Sequence, residues 1–375
     1  MIYIVKPGDT VDSIAVSNSV PTDALIFNNQ LSYPYRLAIG QALYIPEYSV
    51  STQRSVYING FAYPFIDERI LNESLDYLST LSVFSYGFTP DGDLIYPRID
   101  DTDMIEAAIG RGVVPILTLT PLNAEGRFNN MLIHELLINE QGVINLTENL
   151  RMILSAKGFG GVNIDFEYIM AEDRDMFSEF VADLTANLNE YGYEVSVDLA
   201  PKTSADQPGL LYEGKDYRAL GAAANSVLLM TYEWGYTYSE PRAVAPVNLV
   251  RRVIDYAVTE IPTYKIDMGI PNYGYDWTLP YEKGVTKAVT IGNAQAAALA
   301  ADNGAVIEYD ELAQTPHFNY TRDGIEHEVW FEDVRSMKAK LELIEEYALR
   351  GAGYWQIMRL FRAGWLQLED MYYII

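Results

Sequence analysis

Residues 160–169 read GGVNIDFEYI. Side chains alternate across a strand, so a strand here sends Asn163, Asp165 and Glu167 to one face and Val162, Ile164 and Phe166 to the other. The apolar row suits a layer of helices, and the polar row must then line an interior. Apolar, β-rich runs recur on both sides of this stretch and alternate with helical patterns, the sequence form of a parallel sheet built from βαβ units. The strands are read at Val56–Tyr63, Leu81–Tyr86, Val113–Leu119, Gly161–Phe166, Glu194–Leu199, Val227–Tyr232, Ile266–Ile270 and Gly353–Gln356. Eight of them favour an α/β fold closed as a (β/α)8 barrel. One helix between them is especially clear. Glu172 and Asp173 open it with acidic charge, Phe177, Phe180, Val181, Leu184 and Leu188 form one face, and Gly192 stops it. Residues 54–375 exceed the roughly 250 of a plain barrel. The surplus is placed at Tyr275–Glu332, a small insertion between strands seven and eight with a helical run at Asn293–Asn303. A hairpin at Phe318–Trp330 turns at Asp323-Gly324.

The N-terminal stretch has a different pattern. A strand at Ile2–Val5 leads through Lys6-Pro7-Gly8-Asp9 to a helix capped by Thr10, with Val11, Ile14 and Ala15 on one face. A second helix is expected from Pro21 to Asn28, proline suiting a first helical turn. A strand at Ala42–Ile45 closes a βααβ unit, separate from the barrel. The boundaries expected are 1–48 and 54–375, with Glu47–Gln53 a polar joint.

Composition narrows the possible partners. The chain has 375 residues, 49% of them hydrophobic, with 29 Tyr and 5 Trp. No apolar run approaches the roughly 20 residues of a membrane helix, so no membrane partner is expected. With 26 Lys+Arg against 52 Asp+Glu the formal charge is -26, which repels the phosphates that dominate nucleic-acid binding. The absence of Cys excludes disulfides and thiolate chemistry while leaving the compartment open. MIYIVKPGDTVDSIA lacks the basic-then-apolar pattern of a secretory signal, so the chain is expected to be made in the cytosol. Oligomeric state leaves no mark in the sequence.

Barrel enzymes carry their chemistry at the C-terminal ends of the strands. Two carboxyls two residues apart on one inward face are costly unless they share a proton or find partners, and their proximity should raise the pKa of one. A carboxylic acid kept protonated near neutrality suits cleavage of a glycosidic bond. The competing reading is a barrel-floor network in which Asp165 and Glu167 pair with Arg or Lys. On the sixth strand Met230 and Tyr232 share a face, so Tyr232 can donate its hydroxyl into the same cavity. Trp355, ending the eighth strand, can offer a flat apolar floor to a sugar ring.

Two resemblances follow from these residues. YIVKPGDTVDSIA, LIFNNQL and IGQALYIP resemble the three signature stretches of a LysM module. That resemblance implies an N-acetylglucosamine polymer as ligand, held around Gly8, Asp9 and Thr10 and from Asn28 to Leu31. The same residues also serve as plain turn and cap formers. GVNIDFE, MTYEWG and Trp355 resemble glycoside hydrolase family 18. By that match Glu167 is the proton donor, Asp165 orients the substrate acetamide and shares a proton with Glu167, and Tyr232 donates a hydrogen bond to the acetamide. Asn163, Met230, Tyr273 and Trp355 are the expected substrate contacts in the barrel. The motif departs from the chitinase form at Gly160 and Asn163, where chitinases usually carry aspartates, and at Phe166 in place of tryptophan.

The departures, the LysM stretch, GIPNYGYDW (269–277) and HEVWFEDVRSM (327–337) are similar to spore cortex-lytic N-acetylglucosaminidases and their spore-coat relatives. The resemblance implies peptidoglycan as substrate, incorporation into the spore without an ordinary signal, and no metal or organic cofactor. Two alternatives remain open, a hydrolase of chitin oligomers and a non-catalytic glycan-binding coat protein. Other motifs are weak: His134, His317 and His327 lack metal-ligand spacing, and Gly158–Gly161 runs into a strand, the wrong order for a dinucleotide fingerprint.

Overall fold

A computed structural model describes residues 1–46 and 53–375. All of the expected joint except Gln53 lies outside the described residues.

The barrel strands run Arg54–Ala62, Thr80–Phe88, Val114–Leu119, Gly161–Ile164, Glu194–Leu199, Ser226–Leu229, Ile266–Pro271 and Gly351–Trp355. All eight pair in parallel, and the first bonds to both the second and the eighth, which closes the cylinder. Alternation places Val162, Ile164 and Phe166 outward and fully buried. The Phe166 ring packs 5.9 Å from Phe177 on the helix Arg174–Asn189, whose buried face is the one expected. The polar row points inward beside Asn59, Ser82 and Ser196. At the closed end Arg350 pairs with the buried Asp267 at 2.5 Å.

Several boundaries differ from expectation. The fourth strand stops at Ile164 and the sixth at Leu229, two and three residues early. The ladder flares there, continued by single bonds from Asp165 N to Leu119 O and from Met230 N to Leu199 O. Asp165, Glu167 and Tyr232 therefore stand on the lip. The eighth strand begins two residues early, at Gly351, where a Cβ would meet Tyr57 O at 1.8 Å. Glycine here is the residue that lets two backbones close the barrel. A short strand at Tyr372–Ile374, unanticipated, adds in parallel to the outer end of the first strand, Tyr372 opposite Arg54.

The insertion is a five-stranded sheet with the helix Asn293–Asp302. Its hairpin turns at Asp323 and Gly324, both at positive φ, the geometry of a type I′ turn. His327 is bonded to Asp276 at 2.8 Å, and His134 to Asp173 at 2.9 Å.

In the N-terminal unit Ile2–Ile4 pairs antiparallel with Ala42–Tyr44 around helices Val11–Ser17 and Thr22–Asn28. Thr10 and Ser13 cap each other reciprocally. Pro21 sits at the cap in extended conformation, one position before the first turn expected for it. This unit is docked on the barrel. Gln30 bonds to Leu360 O and accepts from Arg362 N. The Arg362 guanidinium donates to Phe27 O and lies 3.8 Å from the Phe27 ring centroid. Ile307 N donates to Ile39 O at 2.8 Å. Gly40, at φ +82, lies so close to Ile307 that a Cβ would meet its carbonyl at 2.0 Å.

Candidate active site

Two of the lip residues, Glu167 and Tyr232, line one cleft of about 200 Å³, together with Pro201, Tyr212, Met230 and Glu233 among others. Glu167 is exposed on the open side of this cleft. Wall atoms nevertheless crowd its carboxyl, and that desolvation raises its pKa above the usual carboxyl value, opposed only by the charge of Lys215. Accessibility of the side chain and crowding of its head group point in different directions, and the crowding governs the proton. No hydrogen bond or ion pair holds the Glu167 carboxyl among the described residues, so it can turn toward a ligand.

Asp165 lies beneath it, buried, with Oδ1 lacking any partner. Burial, then the charges of Asp198 and Glu167, push its pKa well above the ordinary range, and Lys215 pulls the other way. Tyr232 is held protonated by burial and by the surrounding carboxylates, so its hydroxyl is a donor. Room for its ring comes from Gly269, where a Cβ would stand 2.7 Å from Tyr232 Cε1. Trp355 is half-buried, its ring 4.9 Å from Phe84 and 5.8 Å from Phe61 in edge contacts, which together with Tyr63 make an aromatic floor. The Phe84–Ser85 and Trp355–Gln356 peptide bonds are cis.

Other expected contacts play supporting parts. Asn163 is buried below the cleft and donates to Asp198 at 2.8 Å and Ser196 at 3.1 Å. Tyr273 is buried, and its hydroxyl donates to Glu233 rather than to open space. In the N-terminal unit the Asp9 carboxylate accepts from Tyr3 Oη at 2.8 Å and Lys6 N at 2.7 Å. Gly8 supplies the positive φ of that turn, Thr10 caps the helix, and Asn28 is half-buried at the end of the second helix. The turn-forming reading of Asp9 and Thr10 thus holds. Gly8 itself borders open space, with nothing within 4 Å of a Cβ built there.

Three residues of the site were not singled out from sequence. Asp198 is buried opposite Asn163, its pKa raised to about 7, chiefly by desolvation. The sequence signal existed, since Glu194, Ser196 and Asp198 repeat the polar-inward alternation of the fourth strand. Lys215 is fully buried, donates to Asp198 O at 3.0 Å and lies 5.2 Å from the Phe177 ring centroid. Burial lowers its pKa to about 8. It comes from a loop with no periodicity to announce it. Glu233 follows Tyr232 and by alternation should face away, yet its φ of +65° turns it into the cleft, where Tyr275 donates to it at 3.0 Å. Neither Asp165 nor Glu167 is hydrogen-bonded or ion-paired to an Arg or Lys among the described residues, although the charge of Lys215 acts on both.

A closed parallel barrel with protonatable carboxyls, a tyrosine donor and an aromatic floor at its open end has the parts of a retaining or inverting glycosidase. The chain belongs to the glycosyl hydrolases of family 18, whose family model matches residues 127–359, and a LysM domain matches residues 3–46. It is a glycosidase by that membership. It is 38% identical to the cortical fragment-lytic enzyme of Bacillus subtilis (strain 168), an alignment covering 100% of this chain and 98% of that protein. The crystal structure of the spore cortex-lytic enzyme SleL of Bacillus megaterium QM B1551 superposes with a TM-score of 0.94 at 32% identity, covering 100% of this chain and 98% of that one. A chitinase from Chromobacterium violaceum ATCC 12472 matches the barrel more distantly, with a TM-score of 0.76 at 26% identity over 84% of this chain and 98% of that one.

Proposed function

We propose that this chain hydrolyses N-acetylglucosaminyl bonds in peptidoglycan, the spore cortex being its setting, with retention of anomeric configuration. The observation that carries the chemistry is a Glu167 carboxyl at the mouth of the barrel, its pKa raised by desolvation and no hydrogen-bond partner holding it among the described residues. It lies beside Tyr232 in one cleft and near the buried Asp165. Full-length similarity to proteins named for lysis of spore cortex supports the substrate and the setting, and the LysM unit supports a glycan with N-acetylglucosamine.

In the first step Glu167 gives its proton to the glycosidic oxygen as that bond breaks, and the acetamide oxygen of the same sugar bonds to the anomeric carbon. An oxazolinium ion results, in line with the substrate-assisted route that sets family 18 apart from two-carboxylate retaining enzymes. Asp165 and Tyr232 hold the acetamide in line and stabilise its developing charge. Glu167, now ionised, takes a proton from water as that water opens the oxazolinium ring. Trp355 and its aromatic neighbours support the sugar from below. No step requires a metal or an organic cofactor.

The test is digestion of spore cortex peptidoglycan, and of chitin oligomers in parallel, with mass analysis of the fragments. New N-acetylglucosamine reducing ends from the peptidoglycan, absent with Glu167→Gln, are expected. Binding without cleavage by the unaltered chain would overturn the reading, and cleavage restricted to chitin oligomers would redirect it.

A further inference from the structure

A second cleft lies where the N-terminal unit meets the barrel. It has a volume of about 580 Å³, with Phe27, Gln30 and Leu31 on one wall and Arg69, Arg359 and Arg362 on the other. Three arginines on one wall are unusual in a chain with twice as many acidic as basic residues. Their pairing differs. Arg362 is committed to Glu73, Phe27 O and the Phe27 ring. Arg69 and Arg359 have no carboxylate among the described residues, and Arg359 reaches only Thr290 O, at 3.5 Å. Elsewhere Arg151, Arg218 and Arg251 are matched to a glutamate, while Arg127, Arg252 and Arg322 likewise have no carboxylate among the described residues, so what sets Arg69 and Arg359 apart is that they share one cleft. The helix Asn293–Asp302 also starts here, with Gly292, Ala294 and Gln295 in the lining, so its positive end faces the same space.

Position adds to the charge. Arg359 follows the eighth strand by four residues, and Trp355, which ends that strand, packs in the same aromatic cluster as Tyr232 of the catalytic cleft. Arg69 lies in the first turn of Glu68–Leu75, reached from the C-terminal end of the first strand. The seam and the active site therefore share the same rim. One wall of the seam belongs to the module expected to hold a glycan.

We propose that this cleft is a binding site for carboxylates carried by the glycan strand, gripped by Arg69 and Arg359 as the strand passes from the N-terminal unit to the mouth of the barrel. A guanidinium offers two parallel N–H donors that match a planar carboxylate, and an uncharged polymer has nothing to fill them. The proposal rests on the reading that the substrate is peptidoglycan, whose muramic lactyl groups and peptide stems are its two sources of carboxylate.

The experiment measures binding to the full chain carrying Glu167→Gln, so that ligands survive. Three tetrasaccharides are compared: N-acetylchitotetraose, a stem-free peptidoglycan fragment with lactyl carboxylates only, and the same fragment bearing peptide stems. With each rim contact worth a few-fold, the carboxylated ligands should bind about 5- to 20-fold more tightly than the neutral one at low salt. That ratio should fall toward one when Arg69→Gln and Arg359→Gln are combined, and should survive in Arg69→Lys with Arg359→Lys at reduced strength. The step in affinity between the three ligands identifies the carboxylate gripped. Equal affinity for all three, or a preference that persists in the glutamine variant, would overturn the cleft as a site while leaving the glycan reading intact. Binding of none would refute the peptidoglycan reading, and the proposal with it. A melting curve matching the parent shows that the variant is folded.

Discussion

Lys340→Met should cost about 3–5 kcal/mol of folding stability at neutral pH, and the cost should shrink as the solution is acidified. Lys340 Nζ lies 2.8 Å from Glu332 Oε2, with both side chains essentially inaccessible to water. Glu332 stands where the insertion rejoins the barrel, just ahead of helix Val334–Glu346, and Lys340 reaches back to it from within that helix. Truncating one partner of a buried pair leaves the other as an uncompensated charge, which is the origin of that magnitude. Burial already raises the pKa of Glu332, with Lys340 holding it down. A carboxyl with a raised folded pKa contributes stability that is full below its unfolded pKa and is lost as pH rises through the folded value. Removing Lys340 lifts that folded value further, so the deficit must grow from about pH 5 to about pH 8. Urea unfolding of parent and variant at both pH values measures it. Adding Glu332→Gln to the variant separates charge from packing, because a neutral amide needs no counter-ion. A deficit independent of pH, or one untouched by the second change, would refute the argument and leave lost methylene packing as the cause.

Three further outcomes follow from the site and the seam. Tyr232→Phe should lower kcat about 10- to 100-fold with little change in KM, the loss of one aimed donor, measured on a soluble glycan fragment. Lys215→Met removes the cation that favours the ionised forms of Asp165, Glu167 and Asp198, so their pKa values rise. Because Glu167 must begin protonated, the alkaline limb of kcat/KM should move to higher pH; an unshifted profile with uniformly lower activity would mean that Lys215 is only structural. Arg362→Ala removes the guanidinium that clasps Phe27, and hydrogen exchange should quicken in the second helix of the N-terminal unit, Thr22–Asn28, while exchange in the barrel strands stays unchanged.

What could be read from the sequence followed from local periodicity. Alternation alone sorted residues 162–167 onto their two faces, because a one-residue slip would have buried three polar groups among helices. The same rule would have found Asp198. It misdirects at Glu233, where a left-handed backbone overrides alternation, and it overextends the fourth and sixth strands, since side-chain pattern continues past the last ladder bond. Lys215 was hidden because its burial depends on how a loop folds back over the strand ends. The docking of the N-terminal unit was equally hidden, for Gln30 meets Leu360 across 330 positions of chain, and neither end of that contact carries a local signature.

The closure between Arg54–Ala62 and Gly351–Trp355 also has a consequence for the order of assembly. The cylinder's first staves must wait beside an unfinished gap until nearly three hundred further residues have been made. Only then does the seam zip, because a loop of that size must be drawn shut before its contacts give anything back. Until that moment the outer edge of the first strand is an unpaired template that neighbouring chains could bind. Gly351, where a Cβ would collide with the first strand, therefore acts at the last stage of folding, as the fitting piece of the final stave.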